Sequence, residues 1–333
     1  MAAHSATGSS RSTCLSKVSS LRRRYKPCSV SMNGCGSGSD KAVGIRETRT
    51  LPSVSAPQAA VLELKSAIST LSADPPRVDS GIIRLEVPIR QRAGAIDWLH
   101  AQQLHLPRCY FSGRDRQSFS DLVAIPGNGN SSKNGGNLVS VAGVGSAVFF
   151  RRSDPFSMED WRCIKRFLSK ETPLIRAYGA IRFDAKSNIS PEWRDFGSFY
   201  FIVPQVEFDE LEESSLLATT IAWDNTLHWT WEKAMQGLHA TIHQISSSFD
   251  KLRKSVPRTA IVGCSHVPTK ISWDISVRKA LQIINKANSD IVKVVLARCS
   301  KLVTDSAVDP VTLLACLQAD GRAKCLPVLY SAT

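Results

Sequence analysis

The stretch SDIVKVVLARCS, residues 289–300, carries one lysine inside a run of aliphatic side chains. Such a run predicts a β-strand over 291–298, in which alternate side chains point to opposite faces. An ammonium group buried without a partner is costly, so Lys293 either reaches solvent or lies where its charge is useful. A desolvated lysine more readily provides a neutral amine, which is the form that acts as a general base. Lys293 is therefore a candidate catalytic residue, and a surface lysine is the alternative.

Two histidines have a spacing that also occurs in metal sites. His239 and His243 lie four residues apart, so a helix places them on one face, as zinc ligands often are. The zinc-protease pattern needs a glutamate directly after the first histidine, and this sequence has Ala240 there. We therefore favour a solvated or partly packed histidine pair over a metal site.

An acidic run and a glycine-rich stretch are further candidates for ligand binding. The acidic run comprises Glu207, Asp209, Glu210, Glu212 and Glu213. It could bind a cation, but a strand end followed by a solvated turn is the favoured interpretation. The stretch PGNGNSSKNGGN at 126–137 matches neither the P-loop spacing nor the dinucleotide-binding spacing. Because a predicted strand follows it, we interpret it as a hairpin loop.

The elements that must position these side chains are helices and strands in mixed order. Helical periodicity is found at 58–71, 93–103, 154–168, 226–249, 272–290 and 310–320. Strand-like stretches are found at 81–89, 108–113, 138–150, 173–184, 198–210, 215–223 and 291–298. Together they predict a mixed α/β (α+β) fold with largely antiparallel sheets flanked by helices. No apolar run approaches the length of a membrane-spanning helix.

The composition divides the chain into three parts. The net charge of +13 is uneven, because residues 1–39 contain six Lys/Arg, eleven serines and no acidic residue. A serine- and arginine-rich, acid-poor leader is typical of organelle transit peptides, and we expect a disordered chloroplast transit peptide over 1–40. The alternative is a disordered basic tail that binds nucleic acid at LRRRYK. We expect a variable segment over 41–80 and one enzyme domain over 81–333.

The nine cysteines form no recognisable framework. Three lie in the leader, and the other six show neither a CxxC pair nor a regular spacing. This predicts neither disulfide bonds nor a zinc site. We expect the six to be small buried side chains in a reducing compartment.

Several separate motifs between about residues 80 and 319 resemble a known family. They are PLIRAYGAIRFD, ISPEWRDFGSFYFIVPQVEF, VAGVGSAVFF and above all SDIVKVVLARCSKL. These stretches closely resemble plant isochorismate synthases, which belong to the chorismate-utilising enzymes. The resemblance implies the N-terminal portion of that fold, and plant members carry a plastid transit peptide.

The resemblance also implies a reaction. In the family, a lysine activates water for addition to C2 of chorismate, a glutamic acid protonates the departing C4 hydroxyl, and glutamates hold Mg2+. The lysine of the family's K-V-V-L-A-R motif matches Lys293. The expected activity is a hydroxymutase-type isomerase with chorismate as substrate, in salicylate or quinone biosynthesis. We expect no nucleic-acid partner, and the sequence does not indicate an oligomeric state.

The family's acid and metal motifs lie C-terminal to this lysine. The acid belongs to a G-[AS]-[ST]-P-E type motif, and the 40 residues after Lys293 contain no Pro-Glu pair. We therefore expect a C-terminally truncated chain that lacks the Mg2+ ligands and is inactive as written. The alternative is a non-catalytic isoform that acts as a regulatory or dimerising partner.

Overall fold

A computed structural model describes residues 31–36, 41–102, 107–112, 138–184, 187–245, 259–286, 288–319 and 328–331. The strands are β1 Met32–Asn33, β2 Ile45–Thr50, β3 Ser80–Ile89, β4 Arg108–Ser112, β5 Leu138–Val144, β6 Val148–Arg152, β7 Tyr178–Ile181, β8 Phe199–Val203, β9 Val206–Leu211, β10 Ser215–Asp224, β11 Ile261–Val267, β12 Cys299–Thr304 and β13 Val328–Ser331. The helices are α1 Pro57–Ala73, α2 Ala95–Ala101, α3 Met158–Phe167, α4 Trp231–Gln244, α5 Lys270–Ile284 and α6 Pro310–Ala319. Single 3-10 turns occur at Pro191–Trp193 and Asn225–Leu227.

The largest sheet has seven strands in the order β13-β4-β5-β9-β10-β3-β2. All neighbours are antiparallel except β2, which runs parallel to β3. Strand β10 pairs with β3 along its whole length, from Ser215 opposite Ile89 to Asp224 opposite Ser80. The prediction of a mixed α/β fold rich in antiparallel strands is therefore confirmed.

One face of this sheet is apolar and is covered by helices. Its core residues include Leu64 of α1, Trp98 of α2 and Leu238 of α4. The rings of Trp98 and Phe208 stack with their centroids 5.5 Å apart. Burying each large apolar side chain contributes about 1.5–3 kcal/mol to folding. Trp223 of β10 is also buried in this core and is 1% exposed.

A second sheet of four strands, β1-β6-β8-β7, packs with α3 around a separate core. This helix begins at Met158 rather than at the predicted Asp154, because Ser157 caps it in a reciprocal capping box with Asp160. Phe150 of β6 packs edge-on against Phe167 of α3, with ring centroids 5.8 Å apart.

The folded structure begins earlier than the sequence predicted. Met32 and Cys35 are buried in the second core, and β1 pairs with β6. The expectation of disorder over 1–40 is therefore wrong for 31–36, where apolar side chains contact an existing core. The segment 41–80 is not separate either, because β2 extends the seven-stranded sheet and α1 covers it.

The predicted single strand over 198–210 is two strands in different sheets. β8 ends at Val203 in the four-stranded sheet, and β9 begins at Val206 in the seven-stranded sheet. Pro204 lies between them, and a proline has no N–H to continue a strand ladder. The break carries the chain from one sheet to the other and so links the two cores.

Strands β11 and β12 form a third, two-stranded sheet, with α5 between them in the sequence. The strand prediction over 291–298 is wrong, because β12 begins only at Cys299. A strand needs a neighbour for its backbone groups, and none of the described strands pairs with this segment. Its aliphatic side chains are exposed, with Val292 at 84% and Val295 at 82%.

Candidate functional site

Lys293 lies on the exposed segment between α5 and β12. Within the part of the chain that the structure describes, it makes no hydrogen bond or ion pair. Just before it, Ser289 Oγ accepts a hydrogen bond from the backbone N–H of Ile291 at 3.1 Å, which fixes the start of the segment. The geometry therefore presents the Lys293 amine to solvent and leaves its aliphatic neighbours uncovered.

A group of buried charges lies between the two larger sheets, on the side of the seven-stranded sheet away from α1. Arg84 and Glu86 alternate with apolar residues along β3, and Glu207 and Asp209 do so along β9. All four side chains are at most 6% exposed. Because both faces of the sheet are covered, the alternate residues that would normally meet water are buried here.

The charges on β3 and β9 neutralise one another across β10, the strand between them. Arg84 Nη1 lies 2.9 Å from Glu207 Oε1, and Arg84 Nε lies 3.3 Å from Glu86 Oε2. Arg176, which precedes β7 in the chain, donates to Glu207 Oε1 at 2.7 Å and also hydrogen-bonds to Asp209. These contacts tie the four-stranded sheet to the seven-stranded one.

The pKa values of the two buried acidic groups of β9, Glu207 and Asp209, shift in opposite directions. Burial opposes ionisation of Glu207, but Arg84 and Arg176 outweigh it and lower the pKa of that carboxyl. Burial and the adjacent Glu207 charge raise the pKa of Asp209 to about 7. Tyr178 Oη and Asp209 Oδ1 are buried and have no hydrogen-bond partner among the residues that the structure describes.

The acidic run is a strand end, as interpreted from the sequence, since β9 ends at Leu211 and Glu213 beyond it is exposed. Glu207 and Asp209, however, are buried in ion pairs instead of solvated.

The side chains present do not fit a metal ion. Among the described residues, no group of three or more His, Cys, Asp or Glu could hold one. The buried acids are already paired with arginines, and His239 and His243 of α4 lack a third ligand group within the described part of the chain. These residues therefore define no binding site for Mg2+, and this structure supports no reaction step that uses the ion.

Two cavities are found elsewhere on the surface. One, of about 310 Å³, is lined chiefly by apolar side chains next to β7 and β8, including Ile181, Trp193 and Phe196. The other, of about 550 Å³, lies between α1 and β2. Neither cavity includes Lys293. The loop predicted over 126–137 lies outside the described residues.

The sequence prediction did not identify the buried charges as a group. The signal was present as charged residues at alternate positions, Arg84 and Glu86 in GIIRLEVPI and Glu207 and Asp209 in PQVEFDE. The expectation of buried cysteines holds for Cys109 and Cys163 but is wrong for Cys264 and Cys299, which are exposed. None of the helices in the described ranges is long and apolar enough to cross a membrane.

Comparisons with known proteins agree on one family. The sequence model described as "Chorismate binding enzyme" matches residues 133–328, which is more than half of the chain. Isochorismate synthase, chloroplastic, from Catharanthus roseus is 50% identical over 318 residues, covering 90% of this chain and 55% of that protein. Isochorismate synthase 2, chloroplastic, from Arabidopsis thaliana is 50% identical over 312 residues, covering 93% of this chain and 55% of that protein.

The chain is also similar, at lower identity, to one further plant protein and to one solved structure. Protein PHYLLO, chloroplastic, from Arabidopsis thaliana is 33% identical over 216 residues, covering 63% of this chain and 12% of that protein. The structure of MenF, the menaquinone-specific isochorismate synthase from Escherichia coli, has a TM-score of 0.48 and 18% identity, covering 77% of this chain and 50% of that chain. The chain spans about half the length of the two plant isochorismate synthases. Because the family match covers β5 through α6 and includes Lys293, the chain belongs to the chorismate-binding enzyme family.

Proposed function

We propose that this chain belongs to an isochorismate synthase, an enzyme that converts chorismate to isochorismate. The observation that carries the proposal is Lys293 in the KVVLAR stretch, inside the region that matches the family. The 50% identity to two plant isochorismate synthases supports the same substrate. The reaction adds water at C2 of chorismate and releases the C4 hydroxyl.

Lys293 is proposed as the base that activates this water. A lysine accepts a proton only from its neutral form, and burial away from solvent favours that form. In this structure its side chain is exposed, and the adjacent Val292 and Val295 are exposed as well. The proposed role therefore requires a further element that covers the segment 291–298 and desolvates the amine.

The N-terminal elements are proposed to serve as the scaffold for this segment. The seven-stranded sheet and the four-stranded sheet are joined by the buried ion pairs of Arg84 and Arg176. Since these charges are paired with one another, we assign them a structural role and leave the chemistry to Lys293. The protonation of the leaving hydroxyl and the Mg2+ of the family are proposed to depend on residues outside this set.

The protein is proposed to act in the chloroplast. The serine- and arginine-rich stretch before Met32 supports this, as do the names of the two plant relatives, which are both called chloroplastic. Salicylate and quinone precursors are the two proposed uses of the product.

The test of this function is an assay of chorismate conversion by two polypeptides. One is residues 31–333, and the other is residues 31–319 continued by the residues of the Catharanthus roseus relative that follow the matched stretch. We expect isochorismate from the second and none from the first, because Lys293 alone supplies neither an acid nor a metal site. Chorismate left unchanged by a folded chimaera would contradict the proposal.

A non-catalytic role is the second candidate, and the exposed apolar side chains of 291–298 favour it for the 333-residue polypeptide alone. It predicts that residues 31–333 form a stable complex with the relative's chain or with themselves. Size-exclusion chromatography with light scattering distinguishes these complexes from a monomer.

A further inference from the structure

The two-stranded sheet carries a group of reactive side chains that the proposed function does not use. Cys264 and His266 are two residues apart on β11, so they share one face of the sheet. Antiparallel pairing places Ser300 of β12 directly opposite His266. The three side chains are therefore held next to one another by the backbone register.

Their contacts form a chain from thiol to hydroxyl. His266 Nε2 lies 3.3 Å from Cys264 Sγ, and His266 Nδ1 lies 2.9 Å from Ser300 Oγ. Both contacts are satisfied in the neutral tautomer in which Nδ1–H donates to Ser300 and Nε2 accepts the thiol proton. A cysteine is activated for nucleophilic attack when a base lies next to its thiol and a third group orients that base.

The other thiols differ from Cys264 in burial or in their neighbours. Cys35 and Cys109 are buried, and burial raises the pKa of Cys35 to about 12 and that of Cys109 still higher. Cys299 is exposed like Cys264 but lies opposite Val267, on the other face of the same small sheet. Across the described part of the chain, Cys264 is the exposed cysteine with an imidazole within hydrogen-bond distance.

We propose that Cys264 is a site of covalent thiol modification, with His266 as its base and Ser300 as the group that orients His266. The substrate class is a small disulfide of the form R–S–S–R. The Cys264 sulfur attacks one sulfur of this disulfide while its proton passes to His266 Nε2. A protein–S–S–R bond forms as the R–S–S–R bond breaks, and the leaving thiolate takes up the proton as R–SH. The cysteine is oxidised and one half of the disulfide is reduced, so no other oxidant is needed.

The test compares two thiols in one molecule. The full chain is incubated with oxidised glutathione, and separately with iodoacetamide, and the peptides with Cys264 and Cys299 are quantified by mass spectrometry over time. We expect Cys264 to react about tenfold faster than Cys299 with both reagents. Equal rates, or faster reaction of Cys299, would overturn the proposal.

Variants separate the role of the imidazole from simple exposure. We expect His266→Gln to bring the rate of Cys264 down to that of Cys299, and Ser300→Ala to lower it by a smaller factor. Labelling of the buried Cys109 reports any loss of fold in the same samples. If His266→Gln unfolds the protein, the rate of Cys264 in Ser300→Ala alone decides the outcome. An undiminished rate in the variant that remains folded would refute the assignment of base and orienting group.

Discussion

The guanidinium of Arg84 lies 2.9 Å from the carboxylate of Glu207, and each side chain is only 2% exposed. The two residues belong to β3 and β9, which are separated by β10. On β10, the position opposite both Glu207 and Glu86 is Ala218, whose small side chain leaves room for the charged groups to meet above it. The pair therefore depends on the register of three strands.

Breaking this pair is expected to destabilise the fold strongly. Glu207→Gln removes the charge shared by Arg84 and Arg176, and removing one partner of a buried ion pair typically costs about 3–5 kcal/mol. Urea denaturation of the variant measures the free energy of unfolding. The matched control is Glu47→Gln, which breaks the exposed pair with Arg49 and is expected to cost less than about 1 kcal/mol. Equal effects of the two changes would show that the buried pair has no special role.

The protonation of Asp209 is expected to appear as a pH dependence of stability. Burial and the Glu207 charge raise the pKa of Asp209 to about 7 in the folded state. The pKa of an aspartate in an unfolded chain is about 3.9. Between these two values the folded chain binds more protons than the unfolded chain, so the contribution of Asp209 to stability falls as pH rises.

The variant Asp209→Asn isolates this contribution. Its free energy of unfolding, measured at intervals from about pH 4 to pH 7, should rise relative to wild type by at most about 1.4 kcal/mol per pH unit. Glu207, Arg84 and Arg176 lie next to the same carboxyl and remain in both proteins. A constant difference between the two proteins across this range would contradict the raised pKa.

The start of the folded chain can be located by two truncations. Removal of residues 1–30 leaves β1 intact, whereas removal of residues 1–40 deletes Met32 and Cys35 from the second core. We expect the first truncation to leave stability unchanged and the second to cost about 3 kcal/mol, the scale of losing a large buried side chain. Thermal unfolding of both proteins measures this difference, and indistinguishable curves would show that β1 contributes nothing.

The same core bears on where a transit peptide would end. Cleavage before Met32 keeps the buried residues, while cleavage within 32–36 removes part of a strand. N-terminal sequencing of the mature protein from chloroplasts should therefore give a start at or before Met32. A start after Cys35 would contradict the assignment of this segment to the folded domain.

Much of the fold was predictable because helical and strand periodicities are local. The helix at 58–71 and the strand at 81–89 were found close to their true limits, as both have a regular apolar pattern. The switch of sheets at Pro204 was not predicted, because a continuous apolar run hides a change of partner. The edge strand β2, IRETRT, was missed because its side chains are mainly polar or charged.

Less of the candidate site than of the fold could be predicted from the sequence. Lys293 was singled out by its aliphatic neighbours, but whether it is buried depends on what packs over 291–298, and local sequence does not specify this. The buried charges and the Cys264–His266–Ser300 group each depend on the pairing of residues from different strands. Such pairings follow from register, which periodicity alone does not give.

The proposal that Lys293 is the base is tested most directly by the effect of Lys293→Ala on chorismate turnover. The protein for this assay is the chimaera of residues 31–319 with the C-terminal portion of the Catharanthus roseus relative. Loss of a general base typically lowers the rate about 10²–10⁴-fold. The matched control is Lys301→Ala, an exposed lysine on the neighbouring strand β12. We expect a fall in kcat of at least about 100-fold for Lys293→Ala and less than about twofold for Lys301→Ala. Equal turnover by the two variants would contradict the assignment of Lys293 as the base.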